Sequence, residues 1–458
     1  MISSSFPYHI FKAYDIRGLY PDEIDEELAF SIGRAFAMFL QQEEKRTDLS
    51  IVVAADMRVS SPQLKQKIIQ GITKQGANVV DIGLASTPTF YFAVSEYNLD
   101  GGLIVSASHN PKDYNGCKMV RKHAIPISKE TGIFSIRDLV RKNEFSVQSK
   151  KGKVTLKKGV LSDQINHDLD YINTDKIKEF RIVADPANSM GAQYLDGLFS
   201  HIPGTLVKMN FALDGTFPAH QPDPLDEKNL TELKKKVVEE NADLGIAADG
   251  DGDRLFFVDE KGETVPSHIL RGIFAQIFLR KHPHSPICYD IRPGKITEDM
   301  ILKHGGKPVV TRVGHSLIKE KMREVGAVFA GESSGHYFFK FDHGYYEAPV
   351  IMIGKLLEEL STKQCSFSEL VQPYKKYVHS GEINSTVDDK DETIKKVVAH
   401  CQDAKDIDYL DGVTITYDDY WFNIRPSNTE PLLRLNLEAK NKTLMEQKRD
   451  ELLYLIRS

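Results

Sequence analysis

The sequence predicts three similar mixed α/β domains and a C-terminal α+β domain, arranged around a central cleft. Three observations lead to this fold class: the length of the chain, an internal repeat of strand-like runs, and the helix-like stretches between them. A chain of 458 residues is expected to form several domains, each with an adequate core. Strands that alternate with helices are typical of α/β layers.

The repeat consists of three apolar runs and occurs three times before the polar stretch 374–391. In each copy the first run ends in Asp, and the third run leads into a polar loop. The runs cover 51–56, 78–82 and 103–105 in the first copy, 181–185, 206–209 and 244–248 in the second, and 287–290, 308–313 and 327–330 in the third. Helix-like stretches separate the runs, for example at 62–75, 229–241 and 317–325. A repeat of this length indicates related domains, because solenoid units are much shorter.

Domain boundaries are predicted where the composition changes. We predict α/β domains at residues 1–150, 151–258 and 259–370 and an α+β domain at residues 371–458. The charged stretch 141–158 is expected to be the first linker, and 259–266 the second. The last domain should end with a helix over 442–457. Because ligands bind at strand ends in such sheets, the polar loops of the three repeats can converge on one cleft.

The composition excludes two classes of partner. With a net charge of −6, the chain has no large basic field that would favour nucleic acid. No apolar run approaches the ~20 residues that span a bilayer, and residues 1–7 lack the features of a signal peptide. The scattered cysteines read as free thiols in a reducing compartment: Cys117, Cys288, Cys365 and Cys401. We therefore expect a cytoplasmic protein without a nucleic-acid or membrane partner.

The loop 249–254 is the strongest chemical signal in the chain. Between two strand-like runs, Asp249, Asp251 and Asp253 alternate with two glycines. Carboxylates crowded in this way cannot all stay ionised unless a cation lies among them. The glycines let the backbone fold tightly around that cation, and hard oxygen ligands suit Mg²⁺ or Ca²⁺ rather than zinc.

Two other interpretations of this loop are weaker. An acidic surface turn is one, but turns rarely place three Asp between two buried strands. An EF-hand is the other, because the three aspartates and Glu260 have the right spacing. The EF-hand fails because Arg254 stands where that loop needs Gly, and because 255–258 reads as a strand.

The loop 331–336 contains G-x-S-x-G, the pattern of a hydrolase nucleophile elbow. That motif requires a strand–turn–helix context, whereas the strand-like run 337–339 follows here. We therefore expect the loop to offer Glu332, Ser334 and His336 to hydroxyl groups, as in sugar-binding sites.

Two further segments have the composition of binding loops. The loop 106–111 presents Ser108 at a strand end, although an ordinary turn has the same composition. The segment 425–431 places one guanidinium beside Ser, Asn and Thr, which suits a phosphate cradle or a capped turn. Three single residues have either a functional or a structural interpretation: Arg17, Lys295 and His315.

Taken together, five segments resemble the α-D-phosphohexomutase family, in its phosphomannomutase/phosphoglucomutase branch. In the order of the family, these segments are 11–18, 106–118, 249–254, 331–336 and 425–431. The family has three similar α/β domains and a C-terminal domain around a central cleft, which agrees with the repeat. The end of the sugar loop, Ser-Gly-His at 334–336, and the Asp-Tyr-Asn-Gly segment 113–116 look most like the mannose/glucose branch. The glucosamine-phosphate branch usually carries Gln where this chain has Ser333.

The resemblance implies a reversible transfer of a phosphoryl group between the 1- and 6-positions of a hexose phosphate, with mannose or glucose as the sugar. A phosphoserine at Ser108 would donate phosphate to the free hydroxyl, with a hexose 1,6-bisphosphate as intermediate and activator. Mg²⁺ would neutralise charge on the transferring group. Its implied ligands are Asp249, Asp251, Asp253 and an oxygen on Ser108.

The resemblance also implies roles for the other loop residues. Positive charge around the phosphorus would come from Arg17, Lys118 and Arg254. The hydroxyl proton would pass to a base among four candidates that the sequence does not separate: His109, Lys118, Lys295 and His315. The sugar would contact Tyr14, Glu332, Ser334 and His336. The non-transferring phosphate would contact Arg425, Ser427, Asn428 and Thr429.

Two alternatives stay open at this stage. A phosphoglucosamine mutase is the alternative within the family. The alternative from another class is a catalytically silent sugar-phosphate-binding homologue, or a phosphatase that uses the same metal site. A binding protein could lose Ser108 or an aspartate of the loop without penalty, whereas this chain retains them all.

Overall fold

The computed structural model describes residues 6–146, 148, 150–292, 294–426 and 432–458. The chain divides into two compact units. Unit 1 comprises Met1–Val265 and Ser334–Ser368, and unit 2 comprises Pro266–Ser333 and Glu369–Ser458. Within the described ranges, no helix combines the length and the apolar character needed to cross a membrane.

The first sheet of unit 1 contains parallel strands at its centre and antiparallel strands at one side. In spatial order its strands are Ile16–Leu19, Tyr114–Arg121, Gly101–Val105, Ser50–Ala55, Asn78–Leu84 and Val154–Leu156. Ile125–Pro126 also pairs with Tyr114–Arg121. Residues 51–54 are fully buried, as expected where helices cover a parallel sheet. The helices are Glu26–Glu44, Ser61–Lys74, Thr87–Glu96 and Phe134–Lys142, with short turns at Tyr8–Ile10, Lys122–Ala124 and Lys129–Ile133.

A second sheet follows in unit 1. In spatial order its strands are Thr264–Val265, Leu255–Asp259, Leu244–Ala248, Phe180–Asp185 and Gly204–Lys208. The last three are parallel, and the first two run antiparallel to their neighbours. Its helices and turns are Val160–Leu169, Thr174–Lys176, Gly191–Phe199, Glu227–Leu230 and Thr231–Glu239. Unit 1 also contains the hairpin Tyr337–Lys340 and Tyr345–Glu347, and the buried helix Pro349–Lys363.

Unit 2 contains a parallel three-stranded arrangement and an antiparallel sheet. The parallel strands, in spatial order, are Lys307–Thr311, Pro286–Asp290 and Phe329–Gly331. Their helices are Ser267–Lys281, Lys295–Lys303 and His315–Val325. The antiparallel strands, in spatial order, are Val378–Thr386, Leu432–Ala439, Tyr420–Pro426, Val413–Thr416 and Asp406–Asp408. The remaining elements are Phe367–Val371, which crosses the division between the units, Gln372–Tyr374, Lys390–His400 and Lys442–Arg457.

The antiparallel sheet shows why the C-terminal part folds as α+β. Strand Val413–Thr416 alternates buried and partly exposed residues, and one of its faces therefore packs on the core. Helix Lys442–Arg457 contributes Met445, Leu452 and Ile456 to that core. These residues recur at helical spacing, and the apolar stripe of the helix therefore meets the apolar face of the sheet.

The observed elements confirm the predicted fold class, since each predicted run coincides with or overlaps a strand. The two stretches predicted as linkers differ from the expectation. Val154–Leu156 lies within 141–158 and pairs with the first sheet. The stretch 259–266 is the turn and second strand of the hairpin formed by Leu255–Asp259 and Thr264–Val265. Charged residues and Gly favour both turns and linkers, and composition alone does not separate the two.

The first strand of each repeat ends at a buried aspartate: Asp56, Asp185 and Asp290. In the second repeat, Asp185 accepts hydrogen bonds from Asn210 Nδ2 at 3.0 Å and lies 3.0 Å from His220 Nε2. The hydrogen bond to Asp185 raises the pKa of His220. This carboxylate therefore anchors the loop that follows the second strand of its repeat.

Candidate functional site

The acidic loop connects two paired strands of unit 1, Leu244–Ala248 and Leu255–Asp259. Its three aspartate side chains are buried, and one carboxylate oxygen from each lies within 4.8 Å of the others. Asp249 Oδ1 accepts hydrogen bonds from the N–H groups of Asp253 at 3.1 Å and Arg254 at 3.2 Å. Gly252 has φ +74°, a conformation that favours glycine. The loop thus closes on itself with its carboxylates converging.

Lys118 lies directly against this carboxylate cluster. Its Nζ atom is 2.5 Å from Asp251 Oδ2 and 2.5 Å from Asp253 Oδ2. Burial opposes the charge on Lys118, but the two carboxylates outweigh it and raise the lysine pKa well above its usual value. Burial and the charges of Asp251 and Asp253 raise the pKa of Asp249 to about 8. One ammonium group therefore does not neutralise all three carboxylates, and the cluster favours a further cation.

Ser108 lies beside the same carboxylates. It follows strand Gly101–Val105 and is almost fully buried, and its φ of +49° is unusual for a residue other than glycine. Its Oγ donates a hydrogen bond to Asp249 Oδ2 at 2.9 Å. His109 Nδ1 is 3.2 Å from the same Oγ. Burial, followed by the charges of Arg254 and Arg17, holds the pKa of His109 well below its usual value, and its imidazole is therefore neutral.

The backbones of the two loops touch. Gly250 packs so closely on Ser108 that a Cβ atom at position 250 would lie 2.2 Å from the Ser108 carbonyl oxygen. Thr87, at the start of helix Thr87–Glu96, fastens the acidic loop from another side. Its N–H donates to the Asp251 carbonyl at 2.9 Å, and its Oγ1 donates to Asp251 Oδ2 at 2.6 Å. Thr87, the Ser108 loop and the acidic loop are distant in sequence, but their contacts hold one another in place.

Two other residues predicted to supply positive charge, Arg17 and Arg254, lie close to this centre. Arg17 pairs with Asp15 at 2.7 Å and donates to Asn110 Oδ1 at 2.5 Å, next to the Ser108 loop. Arg254 Nε is 3.8 Å from Asp249 Oδ2. The predicted positive charges thus lie around Ser108 and the acidic loop. Tyr14 is half-buried, in the bend before strand Ile16–Leu19.

The predicted sugar loop is divided between the units. In unit 1, His336 Nε2 is 3.2 Å from Asp253 Oδ1, and its Nδ1 is 3.0 Å from Ser334 Oγ. Arg254 and His336 also form a backbone bridge. Glu347, which no motif indicated, places a carboxylate oxygen within 4.8 Å of ligand atoms of Asp253 and His336.

In unit 2, Glu332 is buried and accepts a hydrogen bond from the N–H of Gly314 at 2.7 Å. Ser333 fastens the same loop, because its N–H and Oγ both donate to Asp290 Oδ1, at 3.1 and 3.0 Å. His315 is half-buried and begins helix His315–Val325. The Glu332 side chain is thus held at the end of a strand, as the sequence predicted for a binding loop.

Lys295 begins helix Lys295–Lys303 in unit 2. Its Nζ pairs with Asp299 at 2.5 Å and with Glu298 at 3.2 Å. Burial opposes the charge on Lys295, but these carboxylates prevail and raise its pKa. The residue is therefore held in its charged form.

Arg425 lies on strand Tyr420–Pro426 in unit 2 and is 7% exposed. Its Nη2 donates to Glu382 Oε2 at 2.6 Å, and Asn436 Nδ2 donates to the same oxygen at 3.2 Å. Within the described part of the chain, Arg425 Nε is buried and has no hydrogen-bond partner. Three other residues of the predicted phosphate cradle lie outside the described residues: Ser427, Asn428 and Thr429.

Arg292 was not predicted, although its position follows a pattern in the sequence. Its Nε pairs with Asp290 at 2.5 Å, and Glu332 and Glu382 add to the negative charge around it. Arg58 stands in the same place of the first repeat, two residues after its strand-end aspartate. A comparison of the repeats could therefore have identified both arginines.

Comparison with protein families finds four models that match successive parts of the chain. Phosphoglucomutase/phosphomannomutase alpha/beta/alpha domains I, II and III match residues 9–147, 161–262 and 266–377. The C-terminal domain of the same family matches residues 382–454. These matches cover most of the chain.

Relatives of similar length carry the same family name or activity. A phosphomannomutase of Vibrio cholerae is 39% identical over 457 residues, which cover 98% of each chain. A phosphomannomutase of Methanocaldococcus jannaschii is 39% identical over 450 residues, which cover 98% of this chain and 97% of the relative.

Solved structures show the same architecture. The crystal structure of a phosphoglucomutase/phosphomannomutase family protein from Burkholderia thailandensis has a TM-score of 0.90 and 30% identity, and the match covers 99% of this chain and 97% of that one. An N-acetylphosphoglucosamine mutase from Aspergillus fumigatus, in complex with GlcNAc-6P and magnesium, has a TM-score of 0.62 and 12% identity, with 99% of each chain covered. The latter likeness shows a shared fold.

Proposed function

Because the chain belongs to the phosphoglucomutase/phosphomannomutase family and is a phosphohexose mutase, we propose that it moves a phosphoryl group between the 1- and 6-positions of mannose or glucose phosphate through a phosphate on Ser108. One observation carries this proposal. Ser108 Oγ lies 2.9 Å from Asp249 Oδ2, at the edge of a buried cluster of carboxylates that is suited to a cation. A hydroxyl in that position is suited to accept a phosphoryl group and return it.

The residues of the acidic loop fit Mg²⁺. The donors are hard carboxylate oxygens, and Asp251 Oδ1 is buried without a hydrogen-bond partner among the described residues. Asp249, Asp251 and Asp253 would hold the ion together with an oxygen of phosphorylated Ser108. When bound, Mg²⁺ would supply neutralisation of the charge that spreads over the transferring phosphoryl group.

The reaction balances with the groups that the chain offers. The phosphorus–oxygen bond to Ser108 breaks as a bond forms to the free sugar hydroxyl, whose proton passes through a base to the departing Ser108 Oγ. This yields a hexose 1,6-bisphosphate and an unphosphorylated serine. The other phosphate of the bisphosphate then moves to Ser108 Oγ, whose proton passes to the sugar oxygen that is released. Arg17, Lys118 and Arg254 would stabilise the negative charge throughout.

Three of the four candidate bases differ in their fitness for proton transfer. Lys118 and Lys295 are each paired with two carboxylates that raise their pKa, and they are therefore held in the protonated form. His109 has a neutral ring and an Nδ1 atom 3.2 Å from Ser108 Oγ. A ring with so low a pKa is a weak proton acceptor, and the geometry therefore supports His109 as a hydrogen-bond partner of the serine rather than as the base.

Glu332 and Ser334 are proposed to bind the sugar hydroxyls, and Arg425 to bind the phosphate that is not transferred. The hydrogen bond from Gly314 fixes the Glu332 carboxylate. A group that recognises sugar hydroxyls needs such a fixed orientation. Among the described residues Arg425 Nε has no hydrogen-bond partner, and it would be available to donate to phosphate. Contacts from Ser427, Asn428 and Thr429 stay predictions.

Intact-mass analysis after incubation with a hexose 1,6-bisphosphate tests the mechanism. We expect one added phosphate on wild-type protein, its loss on addition of hexose phosphate, and no labelling of Ser108→Ala. A Ser108→Ala variant that still labels and turns over would refute the mechanism. Transfer of the phosphate to water rather than to sugar would indicate a phosphatase, and an unlabelled wild type would indicate a silent binding homologue.

The preferred sugar is tested separately by turnover of mannose 1-phosphate, glucose 1-phosphate and glucosamine 1-phosphate. We expect the first two to be preferred. A clear preference for the amino sugar would replace this assignment with phosphoglucosamine mutase.

A further inference from the structure

Arg58 is a fully buried arginine beneath the Ser108 loop. It follows strand Ser50–Ala55, and its side chain is inaccessible to solvent. Its guanidinium donates four hydrogen bonds, all to backbone carbonyl groups. Nη2 donates to Ser108 at 2.7 Å and to Asn110 at 2.6 Å, and Nη1 donates to Pro111 at 2.7 Å and to Tyr114 at 3.0 Å.

The loop needs such a partner. Ser108 has φ +49°, and a residue with a side chain keeps that conformation only where its surroundings hold it. Carbonyl groups of a loop that leaves a strand also lack the partners of a sheet ladder. Arginine is suited to this task because its planar guanidinium presents five donors in a fixed geometry, which the single ammonium of lysine does not reproduce.

The guanidinium itself is held from two further sides. Asp56 Oδ2 is 3.3 Å from Arg58 Nε, and Asp56 Oδ1 accepts from Ser61 Oγ at 2.6 Å. The Phe217 ring lies 5.0 Å from Arg58 Cζ, in a cation–π contact. A Cβ atom at Gly215 would lie 2.5 Å from Arg58 Cα, and the backbone there therefore packs tightly on the arginine. Arg58 has little freedom to move.

We propose that Arg58 is the positioning residue of the nucleophile, which keeps Ser108 Oγ aligned with the acidic loop. This inference rests on the proposed function of Ser108. Phosphoryl transfer depends mainly on positioning and electrostatics, and the alignment of the serine therefore sets the rate. Carbonyl oxygens that are bonded to the guanidinium are also kept from turning towards the phosphate, which they would repel.

The test compares Arg58→Lys with the wild type. Lysine keeps the charge but loses the forked geometry. We expect kcat per phosphorylatable serine to fall about 10–100-fold, with KM changed by less than about threefold, because a displacement of about 1 Å has that effect on rate. The number of phosphorylatable serines is counted by intact mass with a hexose 1,6-bisphosphate. Arg34→Lys is the control, since Arg34 donates to Gln75 and Ser146 and does not contact the loop.

A merely structural arginine would give a different result. A substitution that only destabilises the fold lowers the melting temperature and the number of phosphorylatable serines, but it does not lower kcat per serine. The proposal is overturned if kcat per serine of Arg58→Lys stays within about threefold of the wild type. If the wild type itself takes up no phosphate on Ser108, the proposed function fails instead.

Phe217→Leu provides a second route if Arg58→Lys does not fold. Leucine keeps most of the apolar volume but removes the ring that faces the guanidinium. We expect kcat per serine to fall about threefold to tenfold with KM unchanged, on the same positioning argument. An unaltered kcat in this folded variant would overturn the proposal.

Discussion

Substitution of Gly250 by Ala tests whether the contact between the acidic loop and the Ser108 loop controls the chemistry. The added Cβ atom would lie 2.2 Å from the Ser108 carbonyl oxygen and 3.0 Å from the carbonyl carbon. Both obstacles are backbone atoms, and no side chain can rotate away. Since an ordinary contact of a carbon atom is about 3.5 Å, the two loops must separate by roughly 1 Å.

The expected effect follows from that displacement. Overpacking of this kind costs about 1–3 kcal/mol of stability. A misplacement of about 1 Å between reacting groups lowers the rate about 100-fold, which corresponds to about 2.7 kcal/mol of activation free energy. The melting temperature should therefore fall modestly, and kcat should fall much more, because the loops that separate carry Ser108 and the proposed metal ligands.

Gly272→Ala is the matched control. Gly272 lies in helix Ser267–Lys281, and its added Cβ atom would have its nearest neighbours at 3.4 Å, an ordinary contact. Alanine favours a helix over glycine by about 1 kcal/mol, and the control should be at least as stable as the wild type and fully active. Thermal unfolding and kcat per phosphorylatable serine are measured for both variants. A Gly250→Ala enzyme with kcat within about threefold of the wild type would refute the reasoning.

Three further predictions concern the metal, the phosphate group and pH. Chelation by EDTA should abolish turnover and Mg²⁺ should restore it; unchanged rates after chelation would contradict the metal assignment. Arg425→Ala should weaken the binding of hexose phosphate, measured by calorimetry, by about 2–3 kcal/mol. Glu382→Gln removes the carboxylate that competes with phosphate for Arg425, and it should strengthen binding about tenfold. Weaker binding by Glu382→Gln would contradict this competition. His220→Asn should lower the melting temperature more at about pH 6 than at about pH 8. The pKa of His220 is raised in the folded protein, so the stabilisation from its charge is fully present below the unfolded pKa and is lost as pH rises through the folded pKa. Equal losses of melting temperature at both pH values would oppose this.

The sequence predicted the parts of the fold and site that have local signals. Strands appear as apolar runs, and the acidic loop appears as Asp and Gly in alternation. The contacts of the supporting residues have no such local signal, because their partners are far away in the chain. Arg58 binds the carbonyl of Ser108, 50 residues later, and Glu382 pairs with Arg425, 43 residues later. Neither of these two contacts can be predicted from the composition of the chain or from the spacing of its residues.

Local signals also misled where one composition serves two structures. The charged residues of 259–266 suggested a linker, but they form a hairpin turn in which Asp259 Oδ1 accepts from the N–H groups of Lys261 and Glu263.

Lys118 was predicted to contribute charge near the phosphorus. Its direct contact with two carboxylates of the acidic loop depends on the pairing of distant strands, which periodicity does not reveal.

The strand-end aspartates bear on how such an enzyme can diversify. In the first repeat this carboxylate neighbours Arg58, which binds the Ser108 loop, and in the third it pairs with Arg292, which faces acidic side chains. In the second repeat Asp185 holds His220 instead. This carboxylate position thus has an arginine as partner in two repeats and a histidine in the other, although in each repeat its strand lies between the two other parallel strands. The residues that contact this carboxylate can therefore differ between repeats without a change in the order of the parallel strands.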